Sequence, residues 1–240
     1  MFAVFAGFWQ WFALQSENPT IATFTGTVGG LATLLTRGDF WAAFLNSNQA
    51  MLIGYVLAVV TAIPLGLAAG RSSIIDRISD PYVGIALAMP IAPLIPVVIV
   101  ALGLGLASRV VIVYFFVFIF MSVNTRAGVR QVDKSLIEMA KSFRASEAEI
   151  WRYVVIPGAS PAIFAGLRIG LGRAVTGMVI VELLLVATGI GRLLLQFDGR
   201  LQGDLLFGLV VAVVLEMLLL LNFMQYVERR ATPWASRVDG

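Results

Sequence analysis

The 240-residue sequence contains no cysteine and no histidine. Disulfides, thiol nucleophiles, histidine general bases and the usual Cys/His zinc ligand sets are therefore excluded together. A membrane serine hydrolase of the Ser/His type is excluded for the same reason. No cofactor and no metal site is predicted from the residues that remain.

Charge is also scarce, because only 13% of the residues are charged, 59% are hydrophobic and the mean hydropathy is +0.91. Several apolar runs approach or exceed the roughly 20 residues that cross a bilayer as a helix. These runs do not alternate as the strands of a transmembrane barrel do. The chain is predicted to be an all-α, polytopic membrane protein, with residues 1–240 forming a single transmembrane domain. The net charge of +3 is attributed to loops at the membrane surface and not to a nucleic-acid site.

The apolar runs predict about six transmembrane helices in contact with the lipid bilayer. The first is short and is expected to be truncated or shallow. Amphipathic character predicts a further helix over residues 21–35, and residues 188–204 are expected to form an external re-entrant or surface loop. The six predicted spans cover residues 1–14, 48–69, 81–105, 110–123, 161–187 and 205–227.

The third apolar run contains Pro90, Pro93 and Pro96. Each proline removes one backbone hydrogen bond, so this run is not expected to be a straight helix. Broken backbone at membrane depth is tolerated where it is buried or lines a cavity. A solute pathway along these prolines and a simple kinked helix are equally compatible with the pattern.

Charged residues also lie inside apolar runs, namely Arg173, Glu182 and Glu216. A charge at the centre of a membrane helix costs about 2.5–3.5 kcal/mol on insertion scales unless it is paired or hydrated. Such residues usually face a bundle interior or an aqueous cavity, which makes all three candidates for the solute pathway. A structural hydrogen bond to a neighbouring helix is the equal alternative for Glu182. A cation at Arg173 would suit an anionic solute.

Residues 133–157 form the longest charged interruption of the apolar sequence. It contains two S-x-x-E patterns, Ser135 with Glu138 and Ser146 with Glu149. Because this pattern caps helix starts, two short helices joined by a bend near Arg144 are predicted. Pro157 is expected to end the second helix, and Ser160 to cap the next one. A short helix that projects from a membrane protein suits docking into a groove of a soluble partner.

The same stretch carries a family resemblance. Glu138-Met139-Ala140, Arg144 and Val154-Val155-Ile156-Pro157 resemble the E-A-A, Gly and I-x-L-P positions of the EAA loop in permease subunits of binding-protein-dependent ABC importers. Further blocks look like the nitrate/sulfonate/taurine branch, and they lie at residues 63–70, 89–105, 124–140, 157–172 and 182–191. The resemblance covers residues 40–234. It departs most clearly at Arg144, where the family has a glycine that would suit a left-handed bend.

The resemblance implies a type I ABC importer permease fold and a multi-pass location in the bacterial inner membrane. Residues 126–160 would form the cytoplasmic coupling loop. The implied partners are cytoplasmic ABC ATPase subunits, a second permease subunit, expected to be an identical copy, and a periplasmic solute-binding protein. The sequence has no P-loop, so ATP hydrolysis is expected from the separate ATPase. A small anion such as a sulfonate, taurine, nitrate or a carboxylate would be the solute.

Several residues of the loop are expected to contact the ATPase: Ile137, Glu138, Met139, Ala140, Lys141, Phe143, Arg144 and Pro157. A small residue at Ala140 would let the helix seat deeply in a groove. Glu138 would cap its own helix, pair with a basic residue of the ATPase, or do both.

The basic residues predict the orientation of the chain. The side of the membrane that carries the loop would collect Arg71, Arg77, Arg126, Arg130, Lys134, Lys141, Arg144 and Arg152, together with Arg229, Arg230 and Arg237 from the tail. The opposite side would receive only Arg37, Arg109, Arg192 and Arg200. The positive-inside rule therefore places the loop and the C-terminus in the cytoplasm.

Two other function classes remain open. A secondary transporter or channel subunit without an ATPase partner would also be polytopic, although inverted-repeat signs are lacking and the EAA-like loop argues against it. A membrane assembly or scaffold subunit is the third class. Co-purification with an ATPase would separate an importer from both.

Overall fold

The computed structural model describes residues 2–16, 20–184 and 188–233. Within these ranges the chain is helical and forms no strand, which confirms the all-α prediction. The end of the fifth predicted span (185–187) and Arg237 lie outside the described residues. The helices are α1 Phe2–Gln15, α2 Phe24–Thr36, α3 Gly38–Arg71, α4 Ser73–Ala88, α5 Leu94–Leu102, α6 Leu106–Gln131, α7 Lys134–Ser142, α8 Glu147–Ile150, α9 Ile156–Leu184, α10 Gly189–Gly199 and α11 Gly203–Ala231.

Four helices in the described part of the chain are long and apolar enough to cross a membrane. They are α3, α6, α11 and the continuous α8–α9 rod (residues 147–184). The shortest, α6, has 26 residues and, at 1.5 Å per residue, is about 39 Å long, which exceeds the roughly 30 Å of a hydrocarbon core. The other two predicted spans correspond to shorter helices, α1 for the first and α4 with α5 for the third.

The third predicted span is divided, as its prolines require. Pro90 and Pro93 lie in the break between α4 and α5, where the backbone is not helical. Pro96 lies in the first turn of α5, where the missing N–H has no helical partner to lose. The prediction that this run is not a straight helix is therefore confirmed.

The core lies where α3, α6 and α9 pack together, and small residues set how closely they approach. A Cβ on Gly66 would lie 2.6 Å from Thr125 Cβ, and one on Gly70 would lie 2.5 Å from Val129 Cβ. Close contacts of this kind are typical of packed membrane helices. Gly66 and Gly70 therefore allow α3 and α6 to pack closely.

Three local predictions around the charged stretch have different outcomes. The capping box of Ser146 with Glu149 is confirmed, but α7 is capped by Asp133 and not by Ser135. The Asp133 carboxylate accepts the Ser135 amide at 2.8 Å, and this hydrogen bond holds the pKa of Asp133 below its usual range.

The predicted helix end at Pro157 is wrong. A π-helical turn, Trp151–Val155, joins α8 to α9 without interruption, and Pro157 falls in the first turn of α9. A proline inside a helix clashes with the preceding turn, and the wider π turn just before it relieves that clash. Ser160 therefore caps nothing, and its hydroxyl donates to the Pro157 carbonyl at 2.8 Å.

Residues 188–204 do not form a surface loop, because they contain the helix α10, whereas the re-entrant alternative stays a prediction. Ile190, Leu193 and Phe197 share one helical face and are almost fully buried. They belong to the same core cluster as residues of α3 and α9. This segment packs against the core because that face of α10 is apolar.

Residues 38–47, predicted to lie outside the spans, form the first turns of α3. Phe40 and Ala43 are buried there in the main core cluster. The helix predicted over residues 21–35 is α2, which buries Thr27, Gly30 and Leu34 and packs on α11.

Candidate functional sites: a projecting helix pair and a buried polar cluster

The α7–α8 segment (residues 133–150) turns at Arg144, whose φ is +59°. The Ala145 amide donates to the Ala140 carbonyl at 3.0 Å, and the Arg144 amide donates to the Lys141 carbonyl at 2.8 Å. This pair of bonds is the Schellman pattern, in which the left-handed position is usually glycine. The predicted bend is therefore confirmed. It uses the left-handed conformation that favours glycine, although an arginine occupies the position.

The two faces of α7 have different environments. Ile137 and Ala140 are partly buried against a small core that includes Val132, Ile150 and Val155. Ala140 therefore faces the chain itself, and not the open side on which a partner groove would seat the helix. Glu138 is exposed.

The adjoining face of α7 is apolar and open. Leu136 is 46% exposed, Met139 53% and Phe143 79%. Residues three and four apart share one face of a helix, so these three form a continuous apolar strip. Sequence reasoning included Met139 and Phe143 but missed Leu136, which the helical spacing of the strip indicates.

Near the end of the α8–α9 rod, the fully buried carboxylate of Glu182 has several donors. Ser47 Oγ lies 2.8 Å from both carboxylate oxygens, and Arg109 Nη1 donates to Oε1 at 3.1 Å. The Gly191 amide donates to Oε2 at 3.0 Å. The residue is thus held by three other helices, α3, α6 and α10.

Arg109 and Ser47 extend this network. Arg109 is only 5% exposed and also donates to Asn46 Oδ1 at 2.7 Å. Ser47 Oγ accepts the Ile190 amide at 2.9 Å while it donates to Glu182. We call Asn46, Ser47, Arg109, Glu182 and the amides of residues 190–191 the Arg109–Glu182 cluster.

Glycines allow the start of α10 to approach this cluster. Gly189 has a φ of +57°, and a Cβ there would lie 2.1 Å from Ser47 Oγ. A Cβ on Gly191 would lie 2.4 Å from Glu182 Cβ. The amides of a helix N-terminus favour negative charge, so the backbone of α10 complements the carboxylate.

The three predicted intramembrane charges do not meet. Glu182 lies in the Arg109–Glu182 cluster, where it makes the hydrogen bonds to neighbouring helices that one of its two interpretations predicted. Glu216 is 8% exposed in α11 and shares with Asn48 a mostly apolar cleft of about 430 Å³. Its Oε2 has no hydrogen-bond partner within the described ranges. Arg173 is exposed on α9 and stacks on Phe120, with 4.0 Å from its guanidinium carbon to the ring centroid.

A second charged network joins α4 to α6. Arg126 Nε lies 2.6 Å from Asp76 Oδ1, and Arg126 Nη2 lies 2.7 Å from Asp80 Oδ1. Arg130 also pairs with Asp76. None of the residues of α4 is fully buried by the rest of the described chain. These ion pairs are therefore a principal link between α4 and the bundle.

No group of three or more acidic side chains among the described residues is placed to hold a metal ion. A bundle of long apolar helices with buried polar groups and a projecting helix pair is typical of a helical membrane protein. The family described as the binding-protein-dependent transport system inner membrane component matches residues 62–233, and the chain belongs to this family.

Two permease proteins from Escherichia coli K12 are similar to this chain over most of its length. The taurine transport system permease protein is 31% identical over 200 residues, covering 83% of this chain and 72% of the relative. The putative aliphatic sulfonates transport permease protein is 31% identical over 194 residues, covering 81% and 73%.

Among solved structures, an inward-facing form of the MetNI methionine ABC transporter matches with a TM-score of 0.61 at 20% identity, covering 83% of this chain and 95% of that chain. This likeness concerns the fold, which is that of a type I ABC permease. The chain is therefore a multi-pass ABC transporter permease of the nitrate/sulfonate/taurine type. It is a non-catalytic subunit, and ATP hydrolysis belongs to a separate ATPase.

Proposed function

We propose that this chain forms the solute pathway of an ATP-driven importer for a small anion in the bacterial inner membrane, and that the α7–α8 segment couples it to a cytoplasmic ATPase. The observation that carries the coupling role is the apolar strip of Leu136, Met139 and Phe143 on a helix that projects from the bundle. Exposed apolar strips of this kind mark protein interaction sites, and a helix can lay such a strip into a groove.

Among the other predicted docking residues, Arg144 is an exposed charge next to Phe143, suited to the polar rim of an interface. Glu138 and Lys141 are also exposed, on the face of α7 away from the strip. Ile137 and Ala140 support the helix from within, and Pro157 lies in the rod behind it. We assign the coupling loop to residues 126–160, within the single transmembrane domain.

The complete importer would contain two ATPase subunits, a second copy of this permease and a periplasmic solute-binding protein. The exposure of Ile74, Ile78, Tyr82 and Ile85 along α4 fits a helix that is covered by a second subunit or by lipid. The positive-inside distribution supports a cytoplasmic position for the α7–α8 segment and the C-terminus. The Arg71–Glu147 pair, at 3.2 Å, links the end of α3 to the start of the α8–α9 rod on that side.

A sulfonate, taurine, nitrate or a carboxylate is the proposed solute. The taurine and sulfonate permeases among the relatives support an anion of this size. Arg173 offers an exposed cation, and the α4–α5 break at Pro90, Pro93 and Pro96 is the irregular backbone that a pathway tolerates. Glu216 is a further candidate for the pathway, whereas the burial of Glu182 favours a structural role beside it.

The test is assembly with an ATPase. The double variant Met139→Asp/Phe143→Asp is expected to abolish co-purification with the ATPase and ATP-driven uptake, while membrane insertion is retained. Leu201→Asp, at an exposed residue next to α10, is the matched control and is expected to assemble normally. Normal uptake by the double variant, or solute transport by the chain without any ATPase, would overturn the proposal.

A further inference from the structure

The face of α7 opposite the apolar strip lines a groove of about 470 Å³. Lys134 is three residues before Ile137 and four before Glu138, and these are four and three residues before Lys141, so the four residues lie on that side of the helix. The ends of α3 and α6 supply the rest of the wall. The full lining is Gly70, Arg71, Val129, Arg130, Val132, Lys134, Ile137, Glu138, Lys141 and Val155, which we call the basic groove.

The charges of the basic groove are unbalanced. Four cationic side chains line it, against the single carboxylate of Glu138. Arg71 pairs with Glu147, and Arg130 pairs with Asp76. In the described part of the chain, Lys134 and Lys141 have no ion-pair partner, and the buried Arg71 Nε has no hydrogen-bond acceptor.

The walls of the basic groove are also amphipathic. Its cationic groups come from three different helices, whereas Gly70, Val129, Val132 and Val155 present small apolar surfaces. The groove lies where α3 ends at Arg71 and α6 ends at Gln131, which is the level at which membrane spans meet lipid headgroups. An anion that carries an apolar continuation matches both properties.

We propose that the basic groove binds the phosphodiester headgroup of an anionic phospholipid, with Lys134 and Lys141 as its principal ligands. Basic pockets between membrane helices on the cytoplasmic side suit such headgroups, and the guanidinium of Arg71 adds positive charge to the wall. The proposal rests on the proposed function in one respect, the cytoplasmic position of α7.

The proposal gives α7 two tasks on two faces. The apolar strip remains open to the ATPase while a lipid occupies the basic groove behind it. Because Ile137 lies in both the groove wall and the small core under α7, an occupied groove braces the coupling helix from the membrane side. ATPase stimulation by the permease is therefore expected to depend on anionic lipid.

The experiment measures lipid retention by the full-length permease, without reference to transport. Native mass spectrometry after titration with phosphatidylglycerol is compared with titration with phosphatidylcholine. Lys134→Gln/Lys141→Gln is expected to weaken phosphatidylglycerol binding roughly ten-fold or more, since each surface cation contributes appreciably to binding of an anionic lipid. Lys134→Arg/Lys141→Arg should restore it. Arg229→Gln/Arg230→Gln, at another basic helix end, is the matched control and should retain the tightly bound lipid.

Each alternative result overturns the proposal. Equal losses in the groove variant and the control would show unspecific surface electrostatics. Binding of inorganic phosphate in lipid-free detergent with the affinity shown for phosphatidylglycerol would identify a soluble anion as the ligand. Loss of ATPase co-purification in Lys134→Gln/Lys141→Gln with unchanged lipid retention would assign the groove to the ATPase. Failure of the Met139 and Phe143 variants to affect assembly would leave the lipid result standing, so the two proposals fail separately.

Discussion

Ion pairs join helices in two regions of this permease, and the two regions differ in their access to water. In the Arg109–Glu182 cluster the side chains are 6% and 0% exposed. In the α4–α6 network the Arg126–Asp76 pair is 14% and 18% exposed, the Arg126–Asp80 pair 14% and 66%, and the Arg130–Asp76 pair 48% and 18%, so each pair keeps more access to water than Arg109–Glu182. Breaking a buried pair leaves an uncompensated charge, whereas an exposed pair contributes at most about 1 kcal/mol. The first region therefore fixes the fold, and the second permits movement.

The packing around each region agrees with this difference. At the Arg109–Glu182 cluster even a Cβ on Gly191 would clash with Glu182. On α4, a Cβ on Gly84 would meet nothing within 4 Å among the described residues. A transporter has to change conformation, and its mobile elements come from the less stable parts of the structure. We therefore expect α4 to move relative to the α3–α6–α9 core, while α10 stays attached to it.

The largest expected effect comes from removing one partner of the buried pair. Arg109→Ala should lower the free energy of unfolding by about 3–5 kcal/mol, because Glu182 would lose its cationic partner in a dry site. Chemical denaturation in detergent measures this change. The double variant Arg109→Met/Glu182→Gln removes both charges and keeps an acceptor for the Gly191 amide, so it should be more stable than the single variant. A single variant as stable as the exposed-site control Arg200→Ala would contradict the assignment.

The second prediction compares glycines in the two regions. Gly191→Ala should lower the free energy of unfolding by about 1–3 kcal/mol, the usual effect of overpacking a tight site. Gly84→Ala should be neutral or stabilise α4 by up to about 1 kcal/mol, because alanine favours a helix and has room there. Thermal unfolding of the two variants in the same detergent gives the comparison. Equal effects would show that the regions are packed alike.

The third prediction concerns salt. Arg126→Gln should destabilise the attachment of α4 less than Arg109→Ala destabilises the core, because its ion pairs keep partial access to water, and the difference from the unmodified chain should shrink as salt rises. Hydrogen exchange of the α4 amides at low and high ionic strength measures this dependence. Amides of α10 should show no such dependence on salt, since the Arg109–Glu182 cluster excludes water. A salt-independent difference in α4 would place its anchor elsewhere.

These comparisons also show what the sequence could and could not predict. The length of the apolar runs predicted the four long membrane helices, and the prolines predicted the break before α5, because both effects are local. The partners of Glu182 are not local, since Arg109 and Ser47 are 73 and 135 residues away. The sequence therefore placed Arg109 between two predicted spans, on the side of the membrane opposite the charged loop, and not in a buried ion pair. A charge at the edge of an apolar run indicates that the residue could be buried in an ion pair. The sequence alone does not indicate which helix carries the partner.

The α10 and α7 helices illustrate the same limit. The glycines around residue 190 favoured a loop, although the spacing of Ile190, Leu193 and Phe197 is helical. For α7 the spacing predicts two faces, but their roles depend on the ends of α3 and α6. The sequence therefore did not predict that Ala140 faces inward and Leu136 outward.

The smallest expected effect concerns Arg144, which keeps a left-handed conformation without a side-chain partner in the described part of the chain. In such a conformation glycine is favoured over a residue with a Cβ by about 1 kcal/mol. Arg144→Gly should therefore stabilise the α7–α8 segment of the isolated permease by up to that amount, measured as slower hydrogen exchange of its amides.

The same substitution should weaken ATPase stimulation, because a strained residue at the tip of a docking segment is retained for a contact with the partner. Arginine suits that role, since its guanidinium can bind a carboxylate with two parallel hydrogen bonds. Leu201, with a φ of +55°, provides the matched control, and Leu201→Gly should give a similar local gain with no change in coupling. If Arg144→Gly leaves ATPase stimulation and transport unchanged, the arginine is not a coupling contact. The bend alone would then be what the coupling segment requires at this position.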